Sequence, residues 1–331
     1  MMQDIDFVIT WVDGNDPAWK AERKKYISEN DDASEVRFRD WGLLRYWFRC
    51  VEKFAPWVRK IHFVTCGQLP DWLNTEHPKL NCVNHKDFIP EQYLPTFNSR
   101  AIEVFLHNIP GLAEQFVYFN DDMFVVKPVK PEYFFREGLP CDSFGLDCIC
   151  FEDDTIGWGV ASDIAVINNH FNLRDVLWKN RRKIFSVKNG IRQVNRSLIL
   201  GALYPFFPGI RFNHAPLSYL KSSFQTVWAA ESSLMEEAAR CRFRSKATVN
   251  HFVVKYWQLA SGQFVPVNSN RHCCVQLTDS NIGEAASIIT SQRYQTICLN
   301  DTKNVTDIAK ASETLISMFE IIAKDISEYE K

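Results

Sequence analysis

The sequence predicts an α/β fold, a mostly parallel sheet flanked by helices with a helical C-terminal portion packed on it. Three observations carry that expectation. Apolar, β-branched runs alternate with helical periodicity through the first half of the chain. Several of these runs stop at acidic turn residues, where the strand ends of an open α/β sheet hold ligands. Past about Pro131 the strand signal thins and helical spacing dominates.

Ile5 to Val12 reads as a buried strand ended by the turn chemistry of Asp13-Gly14-Asn15-Asp16-Pro17. A polar stretch runs from Ala18 to Arg37. Trp41 to Phe54 places Leu44, Trp47, Phe48 and Val51 at helical spacing, and Pro56 stops it. Ile61 to Thr65 is a second strand, Asp71 to Leu73 a short helix, and Leu80 to Val83 a short strand. Ser99 to His107 reads as a helix capped by Ser99. Gln115 to Phe119 is the next strand, with Asn120-Asp121-Asp122 directly at its end. Helices are expected at Ala161–His170, Gly190–Leu203, Ser222–Ala239 and Asn250–Leu259. A strand at Tyr294–Leu299 and a terminal amphipathic helix at Thr306–Ile326 complete the chain. The expected division is an α/β core (1–140), a mainly helical portion (141–290), and a final strand and helix returning to the core (291–331).

With 46% hydrophobic and 24% charged residues in 331, the chain can bury a sizeable core. A net charge of −2 gives no basic excess for nucleic acid. The sequence shows no apolar run of membrane-spanning length and no basic-then-apolar leader, so the expected setting is the cytoplasm. Its ten Cys form no CxxC pair and fit that reducing compartment. Aromatics make up 14%, and most are expected in the core, some along a sugar pocket.

Asp13 and Asp16, Asp121 and Asp122, and Asp301 all follow candidate strands. Brought together they would form a hard, oxygen-rich site for Mg²⁺ or Mn²⁺ bridging phosphate oxygens. Turn chemistry explains each acidic segment equally well. Asn120-Asp121-Asp122 is the sharpest of them, because adjacent acids repel unless a cation or donors compensate. Glu103 falls inside a helix, and His214 in a loop ahead of one, where it could serve as a general base. Arg242-Phe243-Arg244-Ser245 could clamp a diphosphate, and Lys221 could assist. The chain has no GxGxxG, Walker A or GxSxG sequence.

In order along the chain, Ile5 to Pro17, Arg37-Phe38-Arg39-Asp40 with Leu44-Arg45-Tyr46, Ala55 to Ile61, Leu94 to Ser99 with Ala101-Ile102-Glu103, and Phe119 to Asp122 resemble the Stealth family of sugar-phosphate transferases. His214-Ala215-Pro216, Arg242 to Ser245 and Cys298-Leu299-Asn300-Asp301 extend the likeness over most of residues 4 to 301. The resemblance implies a Rossmann-like, glycosyltransferase-A-like fold. It also implies transfer of hexose-1-phosphate, or N-acetylhexosamine-1-phosphate, from a UDP-sugar to a glycan hydroxyl, forming a phosphodiester and releasing UMP. Capsular or cell-wall polysaccharide synthesis at the inner face of the membrane, beside a membrane-bound assembly complex, is the expected context. Glu103, Asp122, His214 and Arg244 are the implied catalytic residues. Asp13, Asp16, Arg39, Asp40, Asn98, Ser99, Asn120, Lys221 and Asn250 are expected around the substrates. Asp122, with Asp16 and Asp301, is expected to hold Mg²⁺ or Mn²⁺. Acidic strand ends alone serve equally a metal-dependent glycosyltransferase that releases UDP.

Overall fold

A computed structural model describes residues 4–28, 35–151, 156–245 and 248–331. Its strands are β1 (Ile5–Thr10), β2 (Ile61–Thr65), β3 (Leu80–Asn84), β4 (Gln115–Phe119), β5 (Met123–Val125), β6 (Phe135–Arg136), β7 (Leu139–Asp142), β8 (Leu217–Leu220), β9 (Val265–Pro266), β10 (His272–Gln276) and β11 (Thr296–Asn300). Its α-helices are α1 (Pro17–Lys24), α2 (Leu44–Phe54), α3 (Ser99–Glu103), α4 (Ile156–His170), α5 (Leu173–Lys179), α6 (Arg181–Ile184), α7 (Ile191–Leu203), α8 (Lys221–Ala230), α9 (Ser232–Arg240), α10 (Phe252–Ala260), α11 (Ile282–Ser291) and α12 (Ile308–Ile322).

The main sheet runs β3-β2-β1-β4-β8, with the first four strands parallel and β8 antiparallel to β4. Parallel sheets need cover on both faces, and the strand residues here divide accordingly. Ile5, Phe7 and Ile9 of β1 enter one core with α2, α11 and α12; Val8 enters the other with α4, α8 and α10. A second sheet, β10-β11-β5, pairs β10 with β11 in parallel and β11 with β5 antiparallel. The two sheets are joined at Asn120-Asp121-Asp122, because β4 ends at Phe119 and β5 begins at Met123. The expected parallel sheet flanked by helices, with a helical later portion, is therefore present.

Several elements differ from expectation. The polar stretch after Asp16 forms α1, because Asp16 caps it and Pro17 suits its first turn. Asp71 to Leu73 is a turn whose Leu73 bridges to Glu330 rather than a helix. The helix at Ser99 is one short turn, followed by a 3₁₀ turn at Leu106–Asn108, and Asn98 caps it instead of Ser99. The expected helix Ser222–Ala239 breaks at Glu231 into α8 and α9. Helices α5, α6 and α11 and strands β5, β8 and β10 carry no strong periodicity in the sequence and emerge only from packing.

Candidate active site

A cleft of about 730 Å³ opens at the carboxyl ends of the parallel strands. Thr10 and Trp11 reach it from the end of β1, Cys66 from β2, His85 from β3, and Asn120, Asp121 and Asp122 from β4. The strands therefore deliver side chains where an open α/β sheet binds ligands. Gln276 and Asp301, at the ends of β10 and β11, close the floor from the second sheet.

Asp122 is held by its own backbone, whose carbonyl accepts from Leu299 N at 2.8 Å. Its Oδ2 accepts from Cys298 Sγ at 3.2 Å, whereas its buried Oδ1 has no hydrogen-bond partner among the described residues. Asp301 is similar. Its Oδ1 lies 3.5 Å from Arg39 Nη1 and its buried Oδ2 is unpartnered among them. Burial pushes the Asp301 carboxyl up despite the Trp41 indole N–H and Arg39, which favour its ionised form. Enclosure by the cleft walls, with Asp122 and Asp40 nearby, pushes Asp121 up to about 7. Buried carboxylate oxygens left unsatisfied are costly unless something arrives to bind them.

His214 stands beside this floor. The cleft lies at the Phe119 end of β4, and antiparallel β8 starts opposite Tyr118 with Leu217, so the residues just before β8 fall at the cleft. Its Nε2 is 3.2 Å from Asn120 Nδ2, and its Nδ1 is 3.5 Å from Cys298 Sγ. With the Cys298 thiol donating to Asp122, the hydrogen-bond pattern assigns the ring proton to Nδ1 and leaves the Nε2 lone pair toward Asn120. Burial opposes charging of the ring, but Cys274 and Asp122 outweigh it, and the His214 pKa is raised. The donor atoms of His214, Cys274 and Cys298 lie within 4.8 Å of one another. That set is soft; the hard oxygen donors are the carboxylates of Asp122 and Asp301.

The opposite wall joins α3 to the 241–245 segment. Asn98 accepts from Arg100 N at 3.1 Å and donates Nδ2 to Cys241 O at 2.8 Å and Phe243 O at 3.2 Å. Phe97 stacks on Phe243, and Arg244 Nη2 donates to Ser99 Oγ at 2.9 Å, which sets the guanidinium at the cleft. Asn98 is fully buried and thus acts on the site by holding this wall. Asn98→Ala is expected to cost about 2–3 kcal/mol in urea unfolding, since it strands two carbonyls and a helix cap. It should also weaken substrate affinity by displacing Arg244, whereas a loss of stability with unchanged KM would disprove that link.

Glu103 is buried in the cleft wall. It accepts from Tyr118 Oη at 3.1 Å and lies 3.5 Å from His251 Nε2, whose Nδ1 is 2.8 Å from Tyr219 Oη. Burial keeps His251 below the ordinary histidine range. Asn250 accepts from Phe252 N at 2.8 Å, and its own N–H donates to Asp163 Oδ1 at 2.9 Å. Arg39, Asp40, Ser99, Asn120 and Asn250 all line the cleft.

Besides Asn98, which holds the wall rather than lining the cleft, three expected residues stand elsewhere. Asp16 caps α1, accepting from Ala18 N at 2.8 Å, and its other oxygen takes Gln68 Nε2 at 2.9 Å. Asp13 bonds Asn15 N at 2.8 Å within the same turn. Neither lines the cleft, so turn and cap chemistry accounts for both and the first-strand acids leave the expected metal set. Lys221 follows β8 and neighbours Gln115, at the amino end of β4; the length of β8, roughly 13 Å, separates it from the His214 end. Tyr118 and His251 line the cleft and were not singled out from sequence, nor was Cys298, which supports Asp122 and His214 from behind it. None of the three carried a local signal, whereas Asp121 was expected from its place in the acidic strand end.

Residues 37–141 match the family region described as Stealth protein CR2, conserved region 2, and residues 3–31 match Stealth protein CR1, conserved region 1. Over 336 residues, covering all of both chains, the sequence is 37% identical to the receptor polysaccharide phosphotransferase WefC of Streptococcus gordonii. The chain belongs to the Stealth family. The capsular polysaccharide phosphotransferase WcwK of Streptococcus pneumoniae is 36% identical over 100% of this chain and 99% of its own. The exopolysaccharide phosphotransferase cps2G of Lactiplantibacillus plantarum is 37% identical over 99% and 96%. Among solved structures, the galactosyltransferase LgtC is similar at a TM-score of 0.38 and 12% identity, over 98% of each chain. The Stealth blocks thus supply the cleft's β1 and β4 sides, while His214, Arg244 and Asp301 reach it from beyond residue 141.

Proposed function

We propose that this Stealth-family enzyme transfers hexose-1-phosphate, or N-acetylhexosamine-1-phosphate, from a UDP-sugar to a glycan hydroxyl in capsular or cell-wall polysaccharide synthesis, releasing UMP. Its full-length similarity to proteins named polysaccharide phosphotransferases supports that reaction class. The observation that carries the reading is the cleft floor, where a carboxylate oxygen of Asp122 lies buried without a partner among the described residues, with Asp301 and an imidazole beside it and a guanidinium on the facing wall.

Phosphoryl transfer needs positioning and charge neutralisation more than covalent help. The acceptor oxygen bonds to the phosphorus that carries the sugar, and the bond from that phosphorus to the oxygen bridging to the uridine phosphate breaks. UMP leaves with that oxygen, and the hydroxyl proton passes to a base. His214 is assigned that role at Nε2, where the acceptor hydroxyl takes the place of the Asn120 amide as hydrogen-bond partner. Arg244 and Arg39 hold the negative oxygens, and the buried Glu103–Tyr118–His251 cluster fixes the wall on which α3 sits. Asp122 and Asp301 fit a hard divalent ion, Mg²⁺ or Mn²⁺, which when bound offsets charge on the diphosphate. In this reading residues 1–140 with 291–331 hold the nucleotide sugar, and the cleft-lining part of the 141–290 portion, from Phe212 to Phe252, meets the acceptor.

Incubation with a panel of UDP-sugars, Mg²⁺ and a glycan acceptor should yield a phosphodiester signal in phosphorus NMR and stoichiometric UMP. Stoichiometric UDP instead would overturn the proposal, because it means attack at the sugar carbon. A base works only in its neutral form, so turnover should rise with pH through an inflection above the ordinary histidine value of about 6.5. A descending limb through that inflection would assign His214 an acid role instead.

A further inference from the structure

Helices α5 to α7 present a face that the cleft does not use. Helix α7 reverses the usual arrangement of a surface helix. It buries the polar residues Gln193 and Ser197, the latter 0% exposed with its Oγ accepting from Leu146 N at 3.0 Å. Toward solvent it turns Ile191 (67% exposed), Leu198, Ile199 and Leu203 (70%). Val187 and Phe206 extend this apolar surface at either end of the helix, and Trp178 (70%) stands out from α5. Half of the large hydrophobic side chains exposed among the described residues fall in residues 178–206. Such clustering marks an interaction surface, whereas scattered exposed apolar residues need no explanation.

The charge on the same segment is one-sided. Residues 171–206 contain eight Lys or Arg against one acid, Asp175, in a chain whose net charge is −2. Arg181, Arg182, Lys188 and Arg192 are exposed with no acidic partner among the described residues, while Arg196 pairs with Asp147 at 2.7 Å. Protein interfaces deplete Lys from their apolar centres. Here cations are interleaved with projecting Ile, Leu and Trp. That is the pattern of an amphipathic element lying in a bilayer interface, with apolar side chains inserted and cations at anionic headgroups.

We infer that the α5–α7 face docks this protein on the surface of an anionic lipid bilayer. No helix among the described residues is long and apolar enough to cross a membrane, so the attachment is peripheral. It also bears on the cleft. Phe206 lies eight residues before His214, which bounds their separation at roughly 28 Å of extended chain. A docked face therefore holds the cleft close to the membrane surface.

The test is sedimentation of the full chain with vesicles of equal parts phosphatidylglycerol and phosphatidylcholine, compared with phosphatidylcholine alone. Binding is expected only to the anionic vesicles and should weaken as salt rises. The triple variant R181E/R182E/K188E should lose about 10²-fold or more in vesicle affinity, and L198S/I199S/L203S should also lose affinity by removing apolar insertion. These residues lie outside the cleft, so UMP release on soluble substrates stays unchanged and confirms folding, as does an unchanged thermal transition. Vesicle binding is read without turnover, so its failure and a failure of the proposed reaction are distinguishable. Absence of binding to anionic vesicles, equal binding to both vesicle types, or normal binding by both variants would overturn the inference. So would loss of self-association by the apolar variant with vesicle affinity intact, which would make the face a contact between copies.

Discussion

Asp122→Asn lowers phosphodiester formation by at least about 10²-fold while the protein stays folded. The side chain keeps its volume, and the backbone carbonyl still accepts from Leu299 N, so β5 and β11 retain their junction. Only the charge is lost. In the free protein Oδ1 is buried and unpartnered, and its neighbour Asp121 is already pushed up to about 7 by enclosure and by Asp122 itself. A buried acceptor without a partner costs free energy, and that cost is offset when a divalent ion and the diphosphate enter. The amide cannot supply that charge, and its NH₂ group would face the incoming cation. UMP release and the thermal transition are measured together. Asp16→Asn is the control, because asparagine conserves the α1 cap and the residue lies off the cleft. Near-normal turnover by Asp122→Asn, or a comparable collapse in Asp16→Asn, would remove Asp122 from the centre of the mechanism.

The contrast between those two aspartates shows where sequence reading stops. β1, β2 and β4 were legible because strands buried on both faces must be continuously apolar. The acids after β1 and β4 looked alike in sequence. What separates them is the next element. After β1 the chain enters α1, whose free N–H groups claim Asp16, whereas after β4 it enters β5 at once, with no helix N-terminus to claim Asp122, whose Oδ1 stays without a partner among the described residues. Lys221 failed for a related reason, since proximity to His214 in sequence is undone by the strand between them. The Cys298–His214 contact depends on a β10–β11 register whose partners, such as Cys274 and Cys298, lie 24 residues apart, and local periodicity carries no trace of it. Glu103 and Ser99 were marked as site residues only through the family blocks, and Arg244 also through its guanidinium chemistry. Their common wall depends on Asn98 holding two carbonyls more than 140 residues away.

Asp6→Ala is expected to destabilise the fold by about 3–5 kcal/mol without changing turnover per folded molecule. Asp6 is fully buried in β1, far from the carboxyl ends that make the cleft. Its Oδ1 accepts from Arg59 Nε at 2.8 Å, and its Oδ2 accepts from Ala113 N at 2.8 Å and from His62 Nε2 at 2.9 Å. His62 is in turn 2.9 Å from Asn81 Nδ2 at its other nitrogen, so one carboxylate links the entries of β1, β2, β3 and β4. Truncation leaves Arg59 and a buried imidazole without that acceptor, and stranded partners cost more than the bonds themselves contribute. Burial alone would raise the Asp6 pKa, but the bonds from His62, Arg59 and Ala113 outweigh it and the net shift is downward. A carboxyl depressed in the folded state stabilises above its unfolded value, near 3.9, and that contribution disappears as pH falls through the folded value. Urea unfolding of both proteins should therefore show the full difference at neutral pH and a shrinking one below about pH 4. A difference that stays constant into acid would mean the lost packing, not the charge, accounts for the instability.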